Sequence, residues 1–186
     1  FAPAWSELYA LPKVTQKLLD MSDFDVEAWM LEELANVEKE MEGQAFIVGN
    51  GVKRPKGLLA YDMVLNSAWE WGKLGYIASG AADAIPDADK LIEIQHALKP
   101  VYRRNAVWLM NDRTAATFRK FKDGEGRFLW VDGITGGEPD RLLGKPVEVD
   151  DNMPDIGSGT CPVAFGDFKA GYMIGDHKAG RRVLRD

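Results

Sequence analysis

The sequence predicts an α+β fold in which a long helix precedes a compact α/β half, and three observations carry that expectation. Apolar residues recur at steps of three and four between Val26 and Ala45. A strand-length apolar run at residues 106–110 leads straight into a helix cap, and short apolar runs separated by turn residues fill the remainder. The 186 residues are 46% hydrophobic and 28% charged, enough to bury a core in one compact unit or two small ones.

Taken in order, residues 5–19 alternate loosely, with Leu8, Ala10, Val14 and Leu18 on one side and Tyr9, Leu11, Thr15 and Leu19 on the other. Pro12 has no N–H for a ladder, so an edge strand or an extended arm is expected. A helix is expected to start at Ser22, which stands before Asp23, Phe24 and Asp25 in a pattern close to a capping box, and Glu27 adds negative charge to the first turn. Val26, Met30, Leu34, Val37, Met41 and Ala45 then form one apolar stripe about 30 Å long at the helical rise. Gly43 weakens the last turn by about 1 kcal/mol relative to Ala. Gly49, Asn50 and Gly51 end the helix and open a turn.

Residues 51–76 mix glycines with Trp69 and Trp71 and read as loops and short strands without a helical period. Asp87 is the expected N-cap of a helix carrying Leu91, Ile94, Gln95 and Leu98, stopped at Lys99-Pro100 because proline disfavours a helical predecessor. Residues 106–110 form a strand, and Asn111 or Asp112 caps a helix with Ala115, Phe118 and Phe121. A turn at residues 123–126 leads into Phe128, Leu129 and Trp130; residues 142–149, 162–165 and 172–174 are further strand candidates. No internal repeat or low-complexity tract is visible.

Charge and cysteine content exclude several classes. Lys plus Arg number 23 against 29 Asp plus Glu, a formal net charge of −6 and the opposite of a nucleic-acid footprint, so contact with DNA is expected to be weak and non-specific. The single cysteine, Cys161, cannot form an internal disulfide, which fits a reducing cytoplasm. No uncharged apolar run approaches the ~20 residues that span a bilayer, and no export signal opens the chain.

The candidates for chemistry fail their motif tests one by one. Residues 49–57 offer backbone amides beside Lys53, Arg54 and Lys56, but a phosphate loop opens a helix from a strand, whereas this segment follows a helix and contains Pro55. A structural hairpin is expected instead. Asp150, Asp151 and Asp155 lack the ligand spacing of a calcium loop and read as solvated. Ser158 between Gly157 and Gly159 is too short a match for a nucleophile elbow, and Cys161 has no convergent histidine. His177 beside Asp176, or His96 with Glu93, is the remaining pair for a rival reading, a small α/β enzyme with a cleft between the halves. Hence no catalytic, cofactor-binding or metal-binding residue is assigned, no cofactor is expected, and the chain is not read as an enzyme. Of the six tryptophans, Trp5, Trp69, Trp71 and Trp130 fall where regular structure is weak, so each is either local core or partner-facing.

Specific strings point further. Glu7-Leu8-Tyr9-Ala10 with residues 14–20, Gln44-Ala45-Phe46, and Gly49-Asn50-Gly51 with Pro55-Lys56-Gly57-Leu58-Leu59 resemble the front half of tailed-bacteriophage (prophage) major capsid proteins. Residues 106–111, Leu143-Gly144-Lys145-Pro146-Val147 with residues 151–155, Ala164-Phe165-Gly166-Asp167-Phe168 and residues 182–186 are similar to its second half, in the same order. The resemblance implies a phage major capsid fold: residues 1–21 a remnant of the extended loop or arm, 22–86 a peripheral domain with the long spine helix, 87–180 an axial domain, and 181–186 the start of a return to the peripheral domain. The chain opens on Phe1 rather than Met, and it is read as truncated at both ends. By the same resemblance, copies form the pentamers and hexamers of an icosahedral phage head around DNA, with residues 131–140 approaching the capsomer axis. Scaffold, portal and maturation protease would be partners of the full-length protein, without a membrane. The implied location is the virion, assembled in the bacterial host cytoplasm. Some relatives crosslink a lysine to an asparagine, but neither motif is identifiable here and no reactive residue is carried over. An encapsulin-like compartment shell shares the fold and is the alternative from the same class.

Overall fold

The computed structural model of the chain describes residues 7–15, 17, 25–81, 83–85, 88–122, 124–131, 133 and 139–175. Residues 7–15 are exposed almost throughout and pair with no strand among the described residues, so the edge-strand alternative is not seen there. Helix α1 (Val26–Val48) follows. Ser22 lies outside the described residues; the cap is Asp25, whose carboxylate accepts from the Ala28 N–H at 3.0 Å.

Helix α1 runs through Gly43 and stops where expected, with the Gly49 N–H donating to Ala45 O at 2.9 Å. Its stripe is unevenly covered. Val26 and Ile47 are buried near the ends, whereas Val37 and Met41 remain 46% and 45% exposed in the middle. After the helix the chain doubles back through an antiparallel bridge between Asn50 and Lys56, and Gly57 N–H donates to Gly49 O at 2.8 Å. A Cβ on Gly57 would lie 2.5 Å from Gly49 N and 2.6 Å from Ile47 O, so only glycine admits this approach. A 3-10 turn (Leu58–Ala60) then packs on α1, and β1 (Met63–Leu65) pairs in parallel with β2 (Leu74–Tyr76).

The second half is, among the described residues, a five-stranded sheet in the order β4 (Trp130–Val131), β5 (Arg141–Leu142), β6 (Lys145–Val149), β3 (Val107–Met110), β7 (Val163–Gly166). Helix α2 (Asp89–Ala97) precedes it, and its expected cap, Asp87, lies outside the described residues; Ala88 stands at the cap without a side-chain bond. Pro100 stops α2 as expected but also starts the short α3 (Pro100–Arg103), because a proline at the first helical position loses no hydrogen bond. Strand β3 (Val107–Met110) feeds helix α4 (Asp112–Phe118), which crosses to β6 (Lys145–Val149), parallel to β3. Strand β7 (Val163–Gly166) closes the other side of β3 in antiparallel register.

Two strand expectations are corrected. Residues 142–149 are not one strand: β5 (Arg141–Leu142) turns at Leu143 (φ 50°) and Gly144 (φ 77°) into β6, and β4 (Trp130–Val131) extends the meander. Two consecutive positive φ values supply the twist a two-residue hairpin needs. Residues 172–174 form no strand either, since Asp167 caps helix α5 (Phe168–Gly171) and sends Tyr172 away from the sheet.

The core lies under β3. Trp108 and Met110 point to one side and are fully buried with Leu91 of α2, Ala115 and Phe118 of α4, Trp130, Leu142 and Val147. Trp108 also meets its polar requirement, donating Nε1–H to Leu142 O at 3.0 Å, and stacks against Phe165 at 4.3 Å between centroids. The final segment returns to the first half. Tyr172 donates its hydroxyl to Lys56 O at 2.8 Å and packs edge-on to Phe46, while Cys161 Sγ lies 3.3 Å from Met63 Sδ.

Candidate interaction surfaces

The residues considered for chemistry are dispersed or already engaged. In the 49–57 hairpin the Val52 N–H is held by Asn50 Oδ1 at 3.0 Å and the Gly49 and Gly57 amides are held by backbone carbonyls. Asp150 Oδ1 accepts from both nitrogens of Asn152, and Asp155 accepts from Asn111 and Arg113, so Asp150 and Asp155 do not lie idle in solvent. No group of acidic, histidine or cysteine side chains that could hold a metal ion occurs among the described residues.

Glu93 and His96 share α2 but face different partners: Glu93 pairs with Lys90 at 2.9 Å, and His96 Nδ1 lies 3.3 Å from Arg103 Nη1. Asp176 and His177 lie outside the described residues. Ser158 donates its backbone N–H to Asp83 Oδ1 within an exposed turn. Burial pushes the Cys161 thiol above its ordinary value, which disfavours the thiolate a nucleophile requires. The rival enzyme reading therefore finds no converging pair among these residues.

What the surface does present is apolar. The described tryptophans sort into three environments. Trp108 and Trp130 are core, the latter under the Arg119 guanidinium, so of the two expectations for Trp130 the local-core one holds. Trp29 and Leu31 are 49% and 40% exposed on α1, both outside the expected stripe; the position of Trp29 between Glu27 and Glu32 gave no periodic signal. Trp69 and Trp71 are exposed together on the β1–β2 connection, and Trp5 lies outside the described residues. An exposed aromatic pair, a half-bare long helix and an unpaired arm are features of a chain that buries surface against other molecules.

At the β4–β5 edge of the sheet, Val131, Gly133, Pro139 and Asp140 are the described residues of the 131–140 stretch. Gly133 N–H donates to Asp140 Oδ1 at 2.9 Å, and Arg119 donates to the other oxygen. That backbone bond first, and the Arg119 guanidinium after it, hold the Asp140 carboxyl below the usual carboxylate value against the opposing effect of burial.

A family model described as the phage capsid family matches residues 4–186. The chain belongs to this family. Two solved structures agree in both sequence and shape: the capsid of an empty GTA particle and the capsid of a native GTA particle, each computed with C5 symmetry. Each is 46% identical to this chain with a TM-score of 0.79, covering 88% of it. The chain spans 56% of the length of those matched capsid chains. No curated protein matches it. The α+β phage capsid fold expected from the sequence is therefore the fold observed.

Proposed function

We propose that this chain is part of a major capsid subunit that self-assembles, through pentamers and hexamers, into the icosahedral head of a phage and encloses DNA. The observation that carries the reading is 46% identity at a TM-score of 0.79 with GTA particle capsids computed with C5 symmetry. In this reading residues 22–86, built on α1, are the peripheral domain and residues 87–180, built on the five-stranded sheet, are the axial domain. Residues 1–21 are the remnant of the extended loop, and 181–186 begin the return. The function is mechanical: shape, not chemistry, does the work, and rings close by rotation through heterologous contacts. The wall is acidic, with a formal net charge of −6, so DNA is enclosed rather than bound.

Electron microscopy of the purified full-length protein, of which this chain is a part, over a concentration series tests this. Rings or closed shells are the expected product. A chain that stays monomeric at every concentration overturns the reading.

A further inference from the structure

We propose that Lys99, Arg103, Arg104 and Lys145 form a basic corner that takes the phosphate backbone of duplex DNA, a proposal that rests on the capsid-subunit reading and gives its wall a lumenal contact. The chain as a whole carries a formal charge of −6, and helix α1 concentrates that sign with six glutamates against Lys39. Beyond α2 the sign reverses locally. No Asp or Glu occurs from Ile94 to Asn111, and Lys99, Arg103 and Arg104 fall inside that stretch.

The fold gathers these cations in one place. Arg103 Nη2 donates to Leu98 O at 2.8 Å and to His96 O at 3.1 Å, and its Nε donates to Leu98 O at 3.2 Å. Arg103 thus closes the end of α2 through neutral carbonyls and keeps its charge. Lys145, at the start of β6, donates from Nζ to Arg104 O at 3.1 Å, which brings a fourth cation to the corner. None of the four pairs with a carboxylate among the described residues. The nearest acid before them in sequence, Glu93, is paired with Lys90 at 2.9 Å. On the Asn105 side, Asp167 and Lys169 line one open depression together, so that flank adds no net charge.

Charge complementarity selects the occupant. Covering four cations that lack counter-charges with a neutral surface would cost their hydration, so the partner must be anionic. Lys99 and Arg104 are exposed side by side with the α3 turn rather than wrapped around a pocket, which suits a repeating anion better than a single small one. Duplex DNA carries one charge about every 1.7 Å of its axis, about threefold denser than six glutamates spread along the 23 residues of α1, the competing anionic face on a second copy. Helix α3 has four residues, too few to enter a groove, so the contact is with phosphates and is independent of sequence. The other basic spot, Lys53, Arg54 and Lys56, fits less well. It stands at the end of glutamate-rich α1, and the Lys56 ammonium already lies 4.2 Å from the Tyr61 ring centre. The acidic remainder of the chain keeps DNA contact weak and confined to the corner.

The test uses the full-length protein, of which this chain is a part, and a fluorescein-labelled duplex read by anisotropy between about 50 and 200 mM salt. The native protein should bind at the low end and lose affinity steeply as salt rises. The side chains of Lys99 and Arg104 make no hydrogen bond or ion pair among the described residues, so reversing both should leave melting and assembly unchanged. Lys99→Glu with Arg104→Glu should bind at least about tenfold more weakly, with a salt slope shallower by about two. Lys99→Arg with Arg104→Lys should bind like the native protein, and Lys53→Glu with Arg54→Glu should weaken binding far less. Native protein that does not bind the duplex at low salt, or equal losses in the two reversed pairs, overturns the corner and leaves the capsid reading intact. Reversal at Lys99 and Arg104 that spares DNA affinity but stops assembly assigns the corner to the acidic face of a second copy and also overturns it. Native protein that binds the duplex as expected yet forms neither rings nor shells overturns the capsid reading and not the corner.

Discussion

Asn111 Nδ2 donates to Asp155 Oδ1 at 2.6 Å, tying the corner between β3 and α4 to the loop that follows β6. The same buried side chain caps α4 through Oδ1, which accepts the Thr114 N–H at 2.8 Å, and its amide also reaches Met153 O at 3.2 Å. One residue thus joins the helix start, the central strand and the 150–155 loop, and Met153 is carried into the core beside it.

Asn111→Ala removes both the cap and the bond to a carboxylate, and should lower unfolding free energy by about 3 kcal/mol. Asn111→Asp keeps the cap but faces one carboxylate with another. Chemical denaturation should show both variants destabilised at neutral pH, with Asn111→Asp recovering part of its loss in acid. Equal deficits at all pH values would contradict the assigned contact. The Arg113–Asp155 bond should contribute little, because its side chains are 83% and 53% exposed.

Thr114 is 1% exposed, and its hydroxyl finds no hydrogen-bond partner among the described residues. Thr114→Val keeps the shape and removes a buried polar atom without a mate, so stability should rise by about 1 kcal/mol. Calorimetry that finds a lower melting temperature would show that the hydroxyl is satisfied in solution.

Two glycines should respond differently to the same substitution. Gly144 has φ 77° with nothing within 4 Å of a built Cβ, so Gly144→Ala should cost only the backbone penalty of about 1 kcal/mol. Gly57 has ordinary φ but no room, and Gly57→Ala should separate the hairpin from the end of α1 at a cost above about 3 kcal/mol. Proteolysis near residues 49–57 would report the second and not the first.

Asp140 sets a pH dependence. Its folded value is depressed below the ordinary 3.8, chiefly by the Gly133 N–H and then by Arg119, so its stabilisation is present above about pH 4 and is lost as pH falls through the folded value. Asp140→Asn should therefore be less stable than the native chain at pH 7. Acid titration of both proteins should bring their melting temperatures together below pH 3.8, the ordinary value. A constant gap down to pH 2 would place the effect elsewhere.

Local signals were legible where neighbours in sequence are neighbours in space. The end of α1 at Gly49, the stop at Pro100, and the β3–α4 step with its cap at Asn111 or Asp112 follow from capping and periodicity within a few residues, whereas α1 is capped by Asp25, three residues after the expected start at Ser22. The hairpin inside residues 142–149 was missed because Leu143 is a poor advertisement for positive φ, even with Gly144 beside it. The 172–174 run read as strand because apolar alternation does not reveal whether a partner strand exists.

By itself, therefore, the sequence determined the fold class, the long helix and the order of strings that mark a phage capsid chain, since these depend on local period and on linear order. Only tertiary structure decided which aromatics are core and which are exposed. Trp130 and Trp71 sit in similarly irregular stretches, yet the first is 6% exposed beneath Arg119 and the second 92% exposed. The difference arises because burial is conferred by strands and helices distant in sequence: Trp130 packs with Leu142 and Val147 of the β5–β6 meander and with Ala115 and Phe118 of α4, whereas among the described residues no second layer covers Trp71 on the short β1–β2 unit.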